Sequence, residues 1–191
     1  MQVGSHLAPG SAWREALRGA LQRRQSASLQ PGGVQTRAAV LVPIVEVNGA
    51  LCLWLLKRSS SMRKHAGQVA FPGGKQDETD ADLVETALRE ADEELGLRGS
   101  EVDVLGTLDD LLTSTGFRVT PVVGVVAPSF VPVPNPDEVA AVFLAPLGRF
   151  LTRPSWATPF GYIIADHWVW GATAKIARQC AELTQDSLAR I

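Results

Sequence analysis

Apolar positions along the middle of the chain follow the patterns that predict β-strands. Residues 37–47 and 50–57 are two apolar runs, and the Asn48-Gly49 pair between them is typical of a tight β-hairpin turn. Further strand-like runs are residues 102–108, 118–127, 138–144 and 160–170. The pattern predicts a sheet of several strands that begins with a hairpin.

Two other segments repeat apolar residues at intervals of three and four, the spacing of one helix face. They are residues 12–23 and residues 82–96, and the second ends at Gly96, a residue type common just after a helix. A final helix is expected near residues 171–187. Strands outnumber helices and do not alternate regularly with them, which favours an α+β fold with helices packed on a mixed sheet.

Polar residues separate the first predicted helix from the first predicted strand. This stretch contains Pro31-Gly32-Gly33, a turn or linker signal. We therefore expect an N-terminal helical extension and linker over residues 1–36 and one main domain over residues 37–191. A chain of 191 residues with 46% hydrophobic residues supports a single domain with a substantial core.

The charge balance and the scarcity of cysteine narrow the class of protein. A net charge of −2 and a pI of 5.9 argue against a general nucleic-acid binder, which usually carries a basic excess. Cys52 and Cys180 are too few for a disulfide scaffold, so we expect reduced thiols. The sequence shows neither a secretory signal nor a membrane-spanning run, and we expect a cytoplasmic protein with no membrane partner.

Three glutamates in the predicted helix over residues 82–96 are spaced to share one face. Glu90, Glu93 and Glu94 stand three and four residues apart, and like charges at that spacing repel one another. A hard divalent cation such as Mg²⁺ removes this repulsion, because it binds oxygen ligands. Arg89 stands four residues before Glu93 and is placed to orient it. The competing interpretation is an ordinary solvated helix face.

From Gly74 to Leu97 the chain resembles the signature of the Nudix hydrolases. Its second half is matched by Arg89, Glu90, Ala91, Glu93, Glu94, Gly96 and Leu97. The interval from Gly74 to Arg89 is one residue longer than the general pattern. The early acidic position of the signature therefore falls on Asp80 when counted from Gly74, or on Ala81 when counted from Arg89.

The resemblance implies an α/β/α sandwich with a mixed β-sheet and the metal-binding helix at its end. It also implies Mg²⁺- or Mn²⁺-assisted hydrolysis of a diphosphate, with Glu90 and Glu94 as principal metal ligands and Glu93 as a further one. The general base varies within the family. Glu138 is our candidate, with Asp137 and Glu93 as alternatives. The competing interpretation is that Glu138 is only an exposed charge at the start of a strand.

A cluster of basic residues precedes the signature: Lys57, Arg58, Arg63, Lys64 and His65. A solvated loop would explain them. Alternatively, they bind additional phosphate groups beside the metal, where arginine makes forked contacts.

This region is similar to the signature of one Nudix subgroup, the coenzyme A diphosphatases. The matching residues are Arg58, Ser59, Arg63, Gly67, Phe71, Pro72, Gly73 and Gly74. The opening departs, because Trp54-Leu55-Leu56 stands where Leu-Leu-Thr is expected, but the longer interval in the Nudix signature agrees with this subgroup. The resemblance implies cleavage of coenzyme A into 4′-phosphopantetheine and adenosine 3′,5′-bisphosphate.

Within that interpretation, Arg58, Arg63 and His65 are predicted to contact phosphates. Gly73 and Gly74 are predicted to shape the backbone beside the substrate.

Two other functions compete with this one. The protein could hydrolyse ADP-ribose, dinucleotides or nucleoside triphosphates, or it could be a nucleotide-binding module without activity. The three glutamates argue against the second alternative, because a module without chemistry has no need of them. Exposed strand edges permit a homodimer.

Overall fold

The core of the molecule is a mixed β-sheet of eight strands. The computed structural model describes residues 12–24, 36–61, 66–152 and 161–190. The strands of the sheet are β1 Thr36–Val47, β2 Ala50–Arg58, β3 Val69–Ala70, β4 Gly73–Lys75, β5 Val102–Thr107, β6 Leu111–Leu112, β7 Phe117–Val126 and β8 Val139–Pro146. A separate two-stranded hairpin is formed by β9 Gly161–Ile164 and β10 His167–Trp170.

The sheet is mixed because β1 and β7 run parallel, from the pair Thr36 and Phe117 to the pair Ile44 and Val125. The other pairings in the described residues are antiparallel, including β1 with both β2 and β4, and β2 with both β3 and β8. The predicted hairpin between β1 and β2 is confirmed. Asn48 and Gly49 both have positive φ, as its tight turn requires.

Helices cover both faces of the sheet. They are α1 Ala12–Arg23, α2 Leu83–Leu95 and α3 Gly171–Leu188. On one face α1 and α3 pack together over a core that includes Leu53 and Val123. On the other face α2 packs on β1 through two fully buried alanines, Ala87 and Ala91. The predicted α+β, three-layer arrangement is therefore confirmed.

The N-terminal helix is an integral part of the α1–α3 layer. The helix predicted over residues 12–23 is confirmed, and its Trp13, Leu17 and Leu21 are buried. The Trp13 indole donates a hydrogen bond to the Glu46 carboxylate at 3.1 Å. Most of the predicted linker lies outside the described residues, so the division at residue 36 stays a prediction.

The prediction of a single strand over residues 160–170 is wrong, because the described part of this segment forms the β9–β10 hairpin. Ala165 and Asp166 reverse the chain with positive φ. The sequence pattern also missed the short strands β3, β4 and β6. Of the helices in the described ranges, none is long and apolar enough to cross a membrane.

Candidate active site

Local sequence signals fix both ends of α2, the helix that carries the three glutamates. Asp82 caps its start, since the Asp82 carboxylate accepts from the amides of Val84 and Glu85 at 2.8 and 2.9 Å. Gly96 ends it in a left-handed conformation with φ of 66°. Between these ends, the small side chains on the buried face let α2 lie close to β1 and β4.

Glu94 is the most enclosed of the three glutamates, with 2% of its side chain exposed. Within the described residues, each of its oxygens has one donor. The Gly73 amide donates to Oε2 at 3.0 Å, and Arg58 Nη1 donates to Oε1 at 3.1 Å. Burial raises the pKa of Glu94 to about 7; Gly73 and Arg58 oppose this rise, and the charges of Glu90 and Glu138 add to it.

Glu90 lies one turn before Glu94 and faces β4. A Cβ built on Gly74 would lie 2.4 Å from Glu90 Oε1, so only glycine lets the strand and this carboxylate approach so closely. Arg89 Nη1 donates to the same oxygen at 3.0 Å. The pKa of Glu90 is raised, first by burial and then by the charges of Glu93 and Glu138, while Arg89 lowers it.

Glu93 stands apart from the other two. Its side chain is 54% exposed, and both of its oxygens accept from Arg89 Nη1 at 3.3 and 3.2 Å. Arg89, which the sequence predicts to orient Glu93, is therefore in contact with it, and its role in catalysis stays a prediction. The three glutamates therefore share a helix but not one environment.

Arg89 is held mainly by a residue before the helix. Its Nε and Nη2 donate to the two oxygens of Asp80 at 2.9 and 3.0 Å, a forked contact. The Asp80 side chain is 3% exposed, and it also accepts from the Thr86 hydroxyl at 2.9 Å. The Arg89 guanidinium holds the pKa of Asp80 well below its usual range, and Asp80 in turn raises the pKa of Arg89.

This contact decides between the two registers that the sequence left open. Asp80, not Ala81, is the acidic partner of Arg89. The position six residues after Gly74 was the available sequence signal, but the role of Asp80 as the residue that fixes Arg89 was not predicted.

Glu138 approaches the carboxylates from another element. Arg58 at the end of β2 pairs with Val139 at the start of β8, and the Ser59 amide donates to the Glu138 carbonyl at 2.8 Å. The Glu138 charge raises the pKa of both Glu90 and Glu94, so its carboxylate belongs to the same electrostatic cluster. The alternative candidate, Asp137, is exposed.

The predicted phosphate contacts Arg63 and His65, with Lys64 between them, lie outside the described residues. Their roles stay predictions from the sequence. Gly67, the next matching residue of that signature, has a φ of 69°, which glycine adopts readily.

The donor chemistry at this site fits a hard divalent cation. Glu90, Glu94 and Glu138 supply only oxygen ligands, and the charge of Glu138 raises the pKa of both Glu90 and Glu94 in addition to the larger effect of burial. As the side chains stand, however, no three acidic, histidine or cysteine residues in the described ranges converge to hold an ion. The oxygens of Glu90, Glu93 and Glu94 are turned to Arg89, Arg58 and the Gly73 amide instead.

The fold, the carboxylates of α2 and the glycines of β4 agree with the Nudix family. The sequence pattern of the NUDIX domain matches residues 35–164, and the chain belongs to this family. Members hydrolyse phosphoric anhydrides and generally require a divalent metal such as Mg²⁺.

Individual relatives agree with this assignment. The uncharacterized Nudix hydrolase NudL of Pectobacterium atrosepticum is 44% identical over 172 residues, which cover 81% of this chain and 85% of that protein. Among solved structures, a NUDIX hydrolase from Alicyclobacillus acidocaldarius covers 83% of this chain and 97% of its own, with a TM-score of 0.57 and 20% identity. The NUDIX domain of Shewanella oneidensis NrtR, complexed with ADP ribose, covers 82% of this chain and 94% of its own, with a TM-score of 0.54 and 20% identity. The two structures establish likeness of fold.

Proposed function

We propose that the protein hydrolyses the diphosphate bond of coenzyme A or its derivatives, releasing 4′-phosphopantetheine and adenosine 3′,5′-bisphosphate. One observation carries the proposal. The segment that resembles the coenzyme A diphosphatase signature bonds directly to the carboxylate helix, since Arg58 and Gly73 each hold one oxygen of Glu94. Gly74 of the same segment lies against Glu90. In this proposal, the residues predicted to bind the substrate and the residues predicted to act in catalysis belong to one site.

In this proposal Glu90 and Glu94 hold the divalent cation, and Glu93 is a further ligand. When bound, Mg²⁺ or Mn²⁺ supplies Lewis acidity to the diphosphate and favours ionisation of water. Arg89 keeps Glu90 and Glu93 oriented, because Asp80 fixes the opposite edge of its guanidinium.

Glu138 is the proposed general base. Its side chain is half-buried beside the cluster, whereas Asp137 is exposed and Glu93 is engaged by Arg89. A carboxylate at this position accepts the proton of the attacking water, provided that it lies within hydrogen-bond reach of that water in the substrate complex.

A substrate panel tests the proposal. Purified protein with excess Mg²⁺ or Mn²⁺ is incubated separately with coenzyme A, ADP-ribose, a dinucleoside polyphosphate and a nucleoside triphosphate, and products are identified by chromatography and mass. The expected result is the highest kcat/KM for coenzyme A or an acyl derivative, with cleavage abolished by EDTA.

Each alternative has its own outcome. A higher kcat/KM for ADP-ribose than for coenzyme A would contradict the substrate and leave the carboxylate site intact. Metal-dependent binding of coenzyme A without any product would identify a binding module.

A further inference from the structure

A groove of about 560 Å³ borders both the candidate active site and the start of α3. Its lining includes Arg58, Gly73 and Gly74, which lie against Glu94 and Glu90. Its lining also includes residues in the first turns of α3. One groove therefore adjoins both the carboxylates and α3.

Much of the wall of this groove is apolar. They include Val40, Val119 and Ile176, together with the half-buried aromatic side chains of Phe117 and Trp170. Such walls suit a flat base and a sugar, because aromatic side chains stack on ring faces. Hydroxyl groups of Thr113, Ser114 and Thr115 add hydrogen-bonding capacity at the β6–β7 turn.

Among the described residues, the charged side chains that line the groove are all cationic. They are Arg58, Lys75 and Lys175, and none of the described lining residues is acidic. Arg58 is already paired with Glu94. Lys75 adjoins the carboxylate helix, since its carbonyl accepts from Arg89 at 3.2 Å. Lys175 is exposed and belongs to α3, on the opposite face of the sheet.

We infer that this groove binds the adenosine half of coenzyme A, and that Lys175 contacts its separate 3′-phosphate. The inference rests on the proposed function and adds a specificity-determining residue to it. Lysine is a common phosphate ligand that acts as a point charge. The uncharged pantetheine arm would leave Lys175 without an anion to bind, whereas a nucleoside with its own phosphate supplies both a flat ring for the apolar walls and the anion.

The test removes the positive charge of Lys175. Lys175→Gln is expected to lower kcat/KM for coenzyme A about tenfold, the effect of losing one hydrogen bond to a charged group, and to change kcat/KM for dephospho-coenzyme A less than about twofold. The affinity for adenosine 3′,5′-bisphosphate, measured by calorimetry, should fall by a similar factor, while that for adenosine 5′-monophosphate should stay unchanged. Lys175→Arg should restore most of the loss.

Arg190→Gln is the matched control. It removes the same charge just beyond the other end of α3, where Arg190 is exposed and does not line the groove, so it should leave both substrates unaffected. Equal losses on coenzyme A and dephospho-coenzyme A, or no loss on either, would overturn the role of Lys175. A wild-type protein that cleaves ADP-ribose but not coenzyme A would instead overturn the proposed function, and this inference with it.

A second variant tests the groove without changing charge. Ala172→Phe places a ring in the groove, and Ala189→Phe places the same ring at the exposed end of α3. Only Ala172→Phe should weaken binding of adenosine 3′,5′-bisphosphate. Weaker binding of 4′-phosphopantetheine alone would assign the groove to the other half of the substrate and contradict the inference.

Discussion

At the scale of single residues, two adjacent glycines let a strand and a carboxylate helix meet. The Gly73 amide donates a hydrogen bond to Glu94, and Gly74 leaves room for the Glu90 side chain. The two positions differ in what surrounds them. A Cβ on Gly73 would lie 2.4 Å from the backbone oxygen of Ala39, whereas a Cβ on Gly74 would meet the end of the Glu90 side chain.

Alanine substitutions at the two positions should therefore differ in their effect on stability. Gly73→Ala has to move backbone and adopts an unfavourable φ of +157°, so we expect a loss of about 1–3 kcal/mol in the free energy of unfolding. Gly74→Ala displaces Glu90, so we expect a loss of at least about tenfold in kcat with a smaller loss of stability.

Chemical denaturation and steady-state kinetics measure the two effects. Gly148→Ala is the control, because nothing lies within 4 Å of the added methyl group. Unchanged activity in Gly74→Ala would mean that the position of Glu90 is not critical.

At the scale of elements, α2 is anchored by the pairing of Asp80 with Arg89. This pair joins the loop before the helix to its middle turn, and it fixes the residue that orients Glu90 and Glu93. The Asp80 carboxylate is nearly inaccessible, so its partner cannot be replaced by water.

Asp80→Asn should lower the free energy of unfolding by about 1–3 kcal/mol near neutral pH, which is the usual contribution of hydrogen bonds to a charged group. Because Arg89 lowers the pKa of Asp80 in the folded state, the contribution is present above the unfolded pKa of about 4 and is lost as the pH falls through the lower folded value. The difference between wild type and variant should thus shrink below about pH 4.

Urea unfolding at several pH values checks this expectation. Asp77→Asn is the control, because the Asp77 side chain is 62% exposed and lies 3.9 Å from Arg89. A difference between wild type and Asp80→Asn that is independent of pH would contradict the assignment.

The elements also show which parts of the fold the sequence could predict. The start and end of α2 were predictable, because Asp82 and Gly96 act locally. The strands β3, β4 and β6 have two or three residues each, and only pairing with distant strands defines them. For the same reason the sequence placed the glutamates on one helix but gave no sign that Arg58 would reach Glu94, 36 residues away.

At the scale of the whole molecule, the two faces of the sheet carry different features. The face under α2 carries the carboxylates, and the face under α1 and α3 carries the larger core. The groove is lined by residues of both β4 and α3. Trp13 fixes α1 to this second face as one of the largest fully buried side chains.

Trp13→Ala should accordingly lower the free energy of unfolding by about 3–5 kcal/mol and leave kcat for the folded enzyme nearly unchanged. Thermal melting and kinetics well below the melting temperature measure both quantities. A large fall in kcat while the variant remains folded would show that α1 acts on the active site as well as on stability.

The proposed function requires that Glu94 belong to a metal-dependent site that cleaves coenzyme A. The most direct measurement follows release of adenosine 3′,5′-bisphosphate from coenzyme A by wild type, Glu94→Gln and the control Asp92→Asn, an exposed position on the same helix, as Mg²⁺ is titrated. We expect metal-dependent release by wild type and Asp92→Asn, and a rate at least about 100-fold lower for Glu94→Gln. A Glu94→Gln rate close to wild type, or release that persists in EDTA, would contradict it.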